Sequence, residues 1–302
     1  MPSFRAAPVR VRVPATSANL GPAFDSAGLA LALYDDVIVR VADSGLSVDV
    51  AGEGADELPR DKRHLIAKSL RAAFAELGGQ PRGLEIVCAN RIPQSRGLGS
   101  SSAAIVAAVL AARALVLGGE ETMDEDAALE LATRLEGHPD NVAACLRGGL
   151  TFAWTGPGGV QVHRVDVNAA IAPVAFIPSS RASTKKVRGL LPATVPHAEA
   201  AANSARTALL SFALTTSPEL LMDATEDRLH QAFRAEAMPR SAALVATLRS
   251  EGVPAVISGA GPTVLALATQ ATVDAVAARH PRAWDVVPLP VEPNGAAVLP
   301  LS

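Results

Sequence analysis

The stretch Ile92-Pro-Gln-Ser-Arg-Gly-Leu-Gly-Ser-Ser-Ser-Ala103 lies between a short strand-like run, residues 84–89, and an alanine-rich segment, residues 100–117. That segment is apolar on nearly every face, so a buried central helix is expected. Gly97 and Gly99 can take backbone angles closed to other residues and let the main chain approach a ligand. Ser100, Ser101 and Ser102 then open the helix, whose N-terminus carries roughly half a positive charge and several unpaired N–H donors. Such a loop cradles phosphate oxygens, and its hydroxyls can reach a magnesium ion. A serine-capped turn has the same composition; the position between a strand and a buried helix favours phosphate. No Gly-Lys-Ser/Thr is present and the Rossmann glycine spacing is absent, so this is neither of those loops.

The surrounding chain sets the frame. Its 302 residues suggest two domains or one large one, and 49% hydrophobic with 19% charged residues describes a packed globular protein. A net charge of −3 and only 3% aromatic residues argue against a nucleic-acid partner. Cys88 and Cys145 alone give neither a disulfide framework nor a zinc spacing, which suits a reducing cytoplasm. The first residues lack a signal-peptide core, and the longest apolar run, residues 103–116, is broken by Arg113 and shorter than the ~20 residues that span a bilayer. A soluble cytoplasmic protein is expected, with no membrane partner.

Strands are expected at residues 9–13, 34–41, 46–50, 84–89, 150–154, 163–167, 174–177 and 264–268. Helices are expected at 64–77, 100–117, 123–135, 141–146, 185–191, 199–215 and 242–249. Without strict βα alternation this is an α+β pattern, and a boundary near 168 divides it into 1–167 and 168–302.

Pro93, Gly97, Leu98, Gly99, Ser100 and Ser101 stand where the phosphate loop of the GHMP kinases reads Pro-x-x-x-Gly-Leu-Gly-Ser-Ser, and the chain resembles that family of small-molecule kinases. Ser258-Gly-Ala-Gly-Pro-Thr263 resembles its third, glycine-rich motif. Val13-Pro-Ala-Thr-Ser-Ala-Asn-Leu-Gly-Pro-Ala-Phe-Asp25 resembles the first motif of the branch that phosphorylates L-homoserine in threonine biosynthesis. The resemblance implies two α+β domains, the first with a left-handed βαβ unit and the second ferredoxin-like. It implies ATP and Mg2+, with Ile92, Pro93, Gln94, Ser95, Arg96, Gly97, Leu98, Gly99, Ser100, Ser101 and Ser102 at the nucleotide. Members of the family are often homodimers.

Asn19 and Asp25 lie in a loop of small, turn-forming residues, where such side chains also occur for backbone reasons alone. The resemblance makes both of them substrate-binding, with Asp25 on the ammonium of the amino acid. Arg188 and Arg234 fall where the family holds the carboxylate, a task suited to a planar guanidinium fork. In Glu136-Gly-His-Pro-Asp-Asn-Val142, Asp140 can simply cap a helix. The resemblance places His138 and Asn141 at the acceptor and phosphoryl group, and Asp140 where some relatives keep a base. Glu130, eight positions before His138, matches a magnesium ligand, completed by Ser100 or Ser101. The histidines at 64, 163, 197, 230 and 280 show no metal spacing; His64 is a neighbour of the nucleotide or a core residue. Two departures stand out. Ala23 replaces a usual glycine and Ala144 a frequent proline, neither removing a chemical group.

Two rival readings remain at this level. One is a GHMP kinase for mevalonate or an isoprenoid intermediate, which would have no use for an ammonium-binding Asp25; a related decarboxylase is a remoter variant. The other is a non-catalytic ligand-binding module on the same fold.

Overall fold

The computed structural model describes residues 2–182 and 184–300. In chain order it runs β1 (Val9–Ala18), β2 (Ala27–Ala42), β3 (Gly45–Gly52), α1 (Leu65–Glu76), β4 (Gly83–Asn90), α2 (Ser100–Leu115), α3 (Gly119–Thr122), α4 (Glu125–Glu136), α5 (Asp140–Arg147), β5 (Leu150–Gly156) and β6 (Gly159–Val165). There follow β7 (Ile171–Pro178), α6 (Thr184–Arg188), α7 (His197–Thr215), α8 (Leu221–Ala224), α9 (Gln231–Arg234), α10 (Pro239–Ser250), β8 (Ala255–Ile257), β9 (Val264–Thr269), α11 (Val273–Ala277), β10 (Trp284–Pro288) and β11 (Ala297–Leu299).

The first sheet has the order β11-β1-β2-β4-β3, with β5 added to β2 and β6 to β5. Only β3 and β4 pair in parallel, joined by the α1 crossover; the other pairs are antiparallel. Helix α2 packs against α1, α4, α5 and β1. Its alanines explain how: small side chains let four neighbours approach one helix, and Ala103, Ala107, Ala108, Ala111 and Ala112 are fully buried. The expected central helix is found.

The second sheet runs β10-β7-β9-β8, all antiparallel. Numbered within this unit the order is 4-1-3-2 in a β-α-β-β-α-β chain, the ferredoxin-like arrangement. Successive side chains of a strand face opposite ways, and here each face meets a different core. Ile171, Ala175, Ile177, Leu265 and Leu267 join the large core of the first unit. Val174, Phe176, Val264, Ala266 and Ala268 join a smaller cluster with Val187, Met238 and Leu248. That double burial explains why β7 and β9 read as uninterrupted apolar runs. It also clamps the two units together.

Two expectations need correction. The segment 168–302 is not one continuous unit, because β11 returns to pair with β1 (Val11 opposite Val298) and Leu31 bridges to Val291. An edge strand of three residues carries too little pattern to read in advance. The expected strand 9–13 also continues through Pro14 to Ala18, with a register shift between Pro14 and Ala15 where proline cannot donate to the ladder. That extension carries Thr16 and Ser17, fully buried and polar, into the centre of the molecule.

Candidate active site

The end of β1, the phosphate loop and the glycine-rich turn 258–263 are laced together. Thr16 N donates to Leu98 O (3.0 Å), Gly259 N to Ala18 O (3.1 Å) and Thr263 N to Arg96 O (3.2 Å). Ser258 Oγ donates to Gly97 O (2.6 Å) and lies 2.8 Å from Ser17 Oγ. The glycines are sterically required. Gly97 has φ 78° and a Cβ there would sit 2.2 Å from Ser258 O; Gly99 has φ 71° and its Cβ would meet Thr16 Oγ1 at 1.9 Å.

These segments frame a cavity of about 290 Å³ lined by Pro93, Gln94, Ser95, Gly97, Leu98, Gly99, Ser100 and Ser101, with the start of α2 at its floor. Ile92, Arg96 and Ser102, also expected at the nucleotide, do not line it. Ile92 is core. Arg96 donates to Pro178 O (2.8 Å) and Ser179 O (3.1 Å), tying the loop to the end of β7. Ser102 is buried with its hydroxyl on Glu136.

Glu136, rather than the expected Glu130, is the carboxylate that reaches the cavity. Its Oε1 accepts from Ser101 Oγ (2.6 Å) and Ser102 Oγ (2.8 Å), and it lines the cavity. Glu130 does not; it is exposed and accepts from Val160 N (2.9 Å) at the β5–β6 hairpin. Six residues along a helix are about 9 Å and about 120° apart, so both carboxylates cannot serve one site. Glu136 ends α4 and Gly137, at φ 96°, turns the chain there. The sequence signal lies in Glu136-Gly-His, next to the residues already singled out.

The other side of the cavity is charged. Asp25 and Arg188 form a bidentate pair, with Arg188 Nη1 to Asp25 Oδ2 and Nη2 to Oδ1 both at 2.7 Å. Hydrogen bonding to Asp25 raises the Arg188 guanidinium above its ordinary range. Arg188 and Arg234 both lie over the Phe24 ring, at 5.2 and 5.1 Å from its centroid. Arg234 is 2% exposed and makes no ion pair with a described carboxylate; burial, then the nearby Arg188, lower its pKa. Asn19 lines the cavity and also braces it. Its Nδ2 donates to Gly259 O (3.0 Å) and its Oδ1 accepts from Asp25 N (3.0 Å), so it fixes the loop that presents Asp25. Asn19 and Asp25 take left-handed φ values of 70° and 55°, which these residue types tolerate best after glycine, whereas Ala23 is unstrained.

Between the two sides stand His138, Asp140 and Asn141. His138 Nδ1 is 2.5 Å from Asp140 Oδ1, and that hydrogen bond raises the imidazole pKa. Asn141 N donates to the same oxygen (2.8 Å). Thr16 Oγ1 donates to Asn141 Oδ1 (2.7 Å), leaving the Asn141 Nδ2 donors without a partner among the described residues. Thr16 is not among the sequence expectations because a threonine in a strand gives no sign of its function.

The remaining end is apolar, with Val37, Leu58, Leu65, Ile66 and Ala104 around His64. His64 is 3% exposed, both ring nitrogens lack a partner, and burial lowers its pKa. Nearby Asp35 accepts from Arg91 N (2.6 Å) and Ile92 N (2.8 Å), yet burial still pushes its carboxyl from 3.8 up to about 6. The folded chain therefore binds a proton the unfolded chain has released, and this group's contribution to stability falls as pH rises from about 4 to 6, by at most ~1.4 kcal/mol per unit. Asp35→Asn keeps a carbonyl acceptor without the charge. Its melting temperature relative to the parent should rise between pH 4.5 and 7.5; a difference independent of pH would contradict the burial argument.

Residues 64–149 match the model of the GHMP kinases N terminal domain, and residues 205–286 that of the GHMP kinases C terminal domain. The chain is 63% identical over 301 residues to a homoserine kinase of Streptomyces avermitilis, covering 100% of this chain and 99% of the relative. It belongs to the homoserine kinase family of GHMP kinases. A second family member, from Streptomyces coelicolor, is 62% identical over 100% of this chain and 97% of its own. A crystal structure of homoserine kinase from Cytophaga hutchinsonii superposes with a TM-score of 0.80 at 25% identity, covering 99% of both chains. The mevalonate kinase of L. major, at 18% identity and a TM-score of 0.71 over 98% of this chain and 100% of that one, shares the fold. Membership of the homoserine kinase family makes the chain a phosphotransferase with an alcohol acceptor. No helix among the described residues is long and apolar enough to cross a membrane.

Proposed function

We propose that the chain transfers the γ-phosphoryl group of ATP to the side-chain hydroxyl of L-homoserine, giving O-phospho-L-homoserine and ADP. One observation carries this reading: a phosphate cradle at residues 97–101 and a clamp of one carboxylate and two guanidinium groups face each other across one cavity. The clamp suits a zwitterion. In the free site Asp25 and Arg188 neutralise one another, and an incoming amino acid exchanges that pair for two, ammonium on Asp25 and carboxylate on Arg188 and Arg234. A mevalonate-like monoanion would occupy the arginines and leave Asp25 uncompensated, which disfavours it.

The α-amino acid held in this way offers its hydroxyl toward the start of α2. ATP phosphates rest on the N–H donors of that helix, and the apolar end around His64 takes the base, with one imidazole donor and one acceptor free for its edge. The alcohol oxygen forms a bond to the γ-phosphorus while the bond to the bridging β–γ oxygen breaks. The transition state is loose, so positioning and charge neutralisation dominate. Asn141, held by Thr16, donates from Nδ2 to the moving group, and His138, hydrogen-bonded to Asp140, stands beside it. The alcohol proton leaves late, to Asp140, solvent or phosphate. Glu136 with Ser101 forms a donor set that magnesium accepts, a carboxylate and a hydroxyl completed by phosphate oxygens and water. Bound there, Mg2+ would neutralise charge on the phosphates. The buried free thiols Cys88 and Cys145 fit a reducing cytoplasm.

An ADP-release assay over L-homoserine, L-serine, L-threonine and mevalonate tests the reading. L-homoserine should exceed mevalonate in kcat/KM by about a hundredfold, the scale of two charge-assisted contacts, while L-serine and L-threonine keep both contacts and should fall behind through the shorter reach of their hydroxyls. Equal or better turnover of mevalonate would refute it.

A further inference from the structure

We propose that His230 is a positioning residue of the acceptor site, which as the neutral Nε2-protonated tautomer aims the Arg234 guanidinium at the substrate carboxylate. This rests on the assignment of Arg234 to that carboxylate. His230 stands one turn before Arg234 and is 1% exposed. Its two nitrogens do opposite things. Nε2 lies 2.8 Å from Gly21 O, which can only accept, so Nε2 carries the proton. Nδ1 lies 3.1 Å from Arg234 Nη1, which can only donate, so Nδ1 offers its lone pair. A second proton would point at the guanidinium.

The surroundings explain why a neutral acceptor is needed. Arg234 sits among like charge, since Arg188 shares the Phe24 ring with it. A carboxylate in place of His230 would hold Arg234 more strongly, but would cancel the charge the substrate must find and compete for the same donors. An imidazole lone pair orients the fork and leaves its charge available. The charged groups facing His230 are Arg234 on its own segment, Asp227 with Oδ1 3.7 Å from Nε2, and Asp25 on the N-terminal loop. Asp227 is already engaged by the backbone N–H groups of Leu229, His230 and Gln231 at 2.9, 3.1 and 2.7 Å. Phe24 closes the arrangement, its ring centroid 5.2 Å from that of His230. Through Gly21 the imidazole also ties Arg234 to the loop bearing Asp25. One side chain thereby sets the spacing of both ends of the clamp.

The test uses H230L, H230Q, R234M and the H230L/R234M double variant in steady-state kinetics, with thermal melts as a folding control. H230L should raise the L-homoserine KM about tenfold or more while the ATP KM stays within about twofold. H230Q retains a neutral acceptor and a donor, and should recover most of that loss. In the R234M background H230L should add little, because the residue it aims is gone. Equal effects of H230L on both KM values, or full additivity with R234M, would overturn the proposal. So would an unchanged L-homoserine KM in H230L. If instead R234M leaves the L-homoserine KM unchanged, the carboxylate assignment itself fails, and with it this inference. Should H230L not fold, H230Q decides alone: a tenfold rise in both KM values overturns the proposal, and near-parental values for both support it.

Discussion

Replacing Asp25 by asparagine should raise the L-homoserine KM, lowering kcat/KM by about 30- to 100-fold, while the ATP KM stays within about twofold. The size follows from the charge pair that is broken: removing one partner of a hydrogen-bonded pair costs about 2–3 kcal/mol when partly exposed, at ~1.4 kcal/mol per tenfold. Asparagine keeps the shape, and Asn19 still receives the backbone N–H at this position. What disappears is the counter-charge for an ammonium. Arg188 also loses its bidentate partner in the free site. Acceptors lacking the ammonium should therefore gain relative to L-homoserine, and a monoanionic hydroxy acid tested beside it should close most of the gap. An unchanged L-homoserine KM together with a raised ATP KM would show that Asp25 faces the nucleotide instead.

Glu136→Gln should lower kcat by about 100- to 1000-fold at limiting magnesium, the usual cost of removing a group that organises charge on transferring phosphates. Glutamine can still accept from Ser101 and Ser102, so folding should be nearly unaffected. Raising the magnesium concentration should restore part of the rate. Glu130→Ala is the matched control and should stay within about twofold, since that carboxylate holds only the exposed Val160 N–H. Magnesium titrations of both variants decide the matter. A large loss in Glu130→Ala with near-normal Glu136→Gln would reverse the assignment.

Much of the site is legible in the chain because its chemistry is local. The phosphate cradle needs two glycines, a serine run and a helix start within a dozen consecutive residues, and the structure shows why: a Cβ at residue 97 or 99 has no room. His138, Asp140 and Asn141 are adjacent, and one helix start presents all three. Glu136 escapes such a reading although it stands two residues from His138. Distance counted along the chain points at Glu130, but the end of a helix and a glycine turn determine which carboxylate reaches the serines. Asn19 reads as a ligand from its amide alone; only the fold shows that the same amide also joins Gly259 to the loop that carries Asp25.

The α+β class, the buried alanine-rich helix and the phosphate loop are set within the sequence alone, because each depends on hydrophobic period or backbone freedom over a few neighbouring residues. The long-range contacts wait on the folded chain. Thr16 is brought to Asn141 from 125 residues away, and Arg188 to Asp25 from 163. The C-terminal strand β11 returns to an edge that no local pattern marks. His230 has a role only because Gly21 and Arg234 meet it from two sides. Such contacts are written in no segment. They follow from packing two sheets and their helices around shared cores, which places side chains distant in sequence within hydrogen-bond reach.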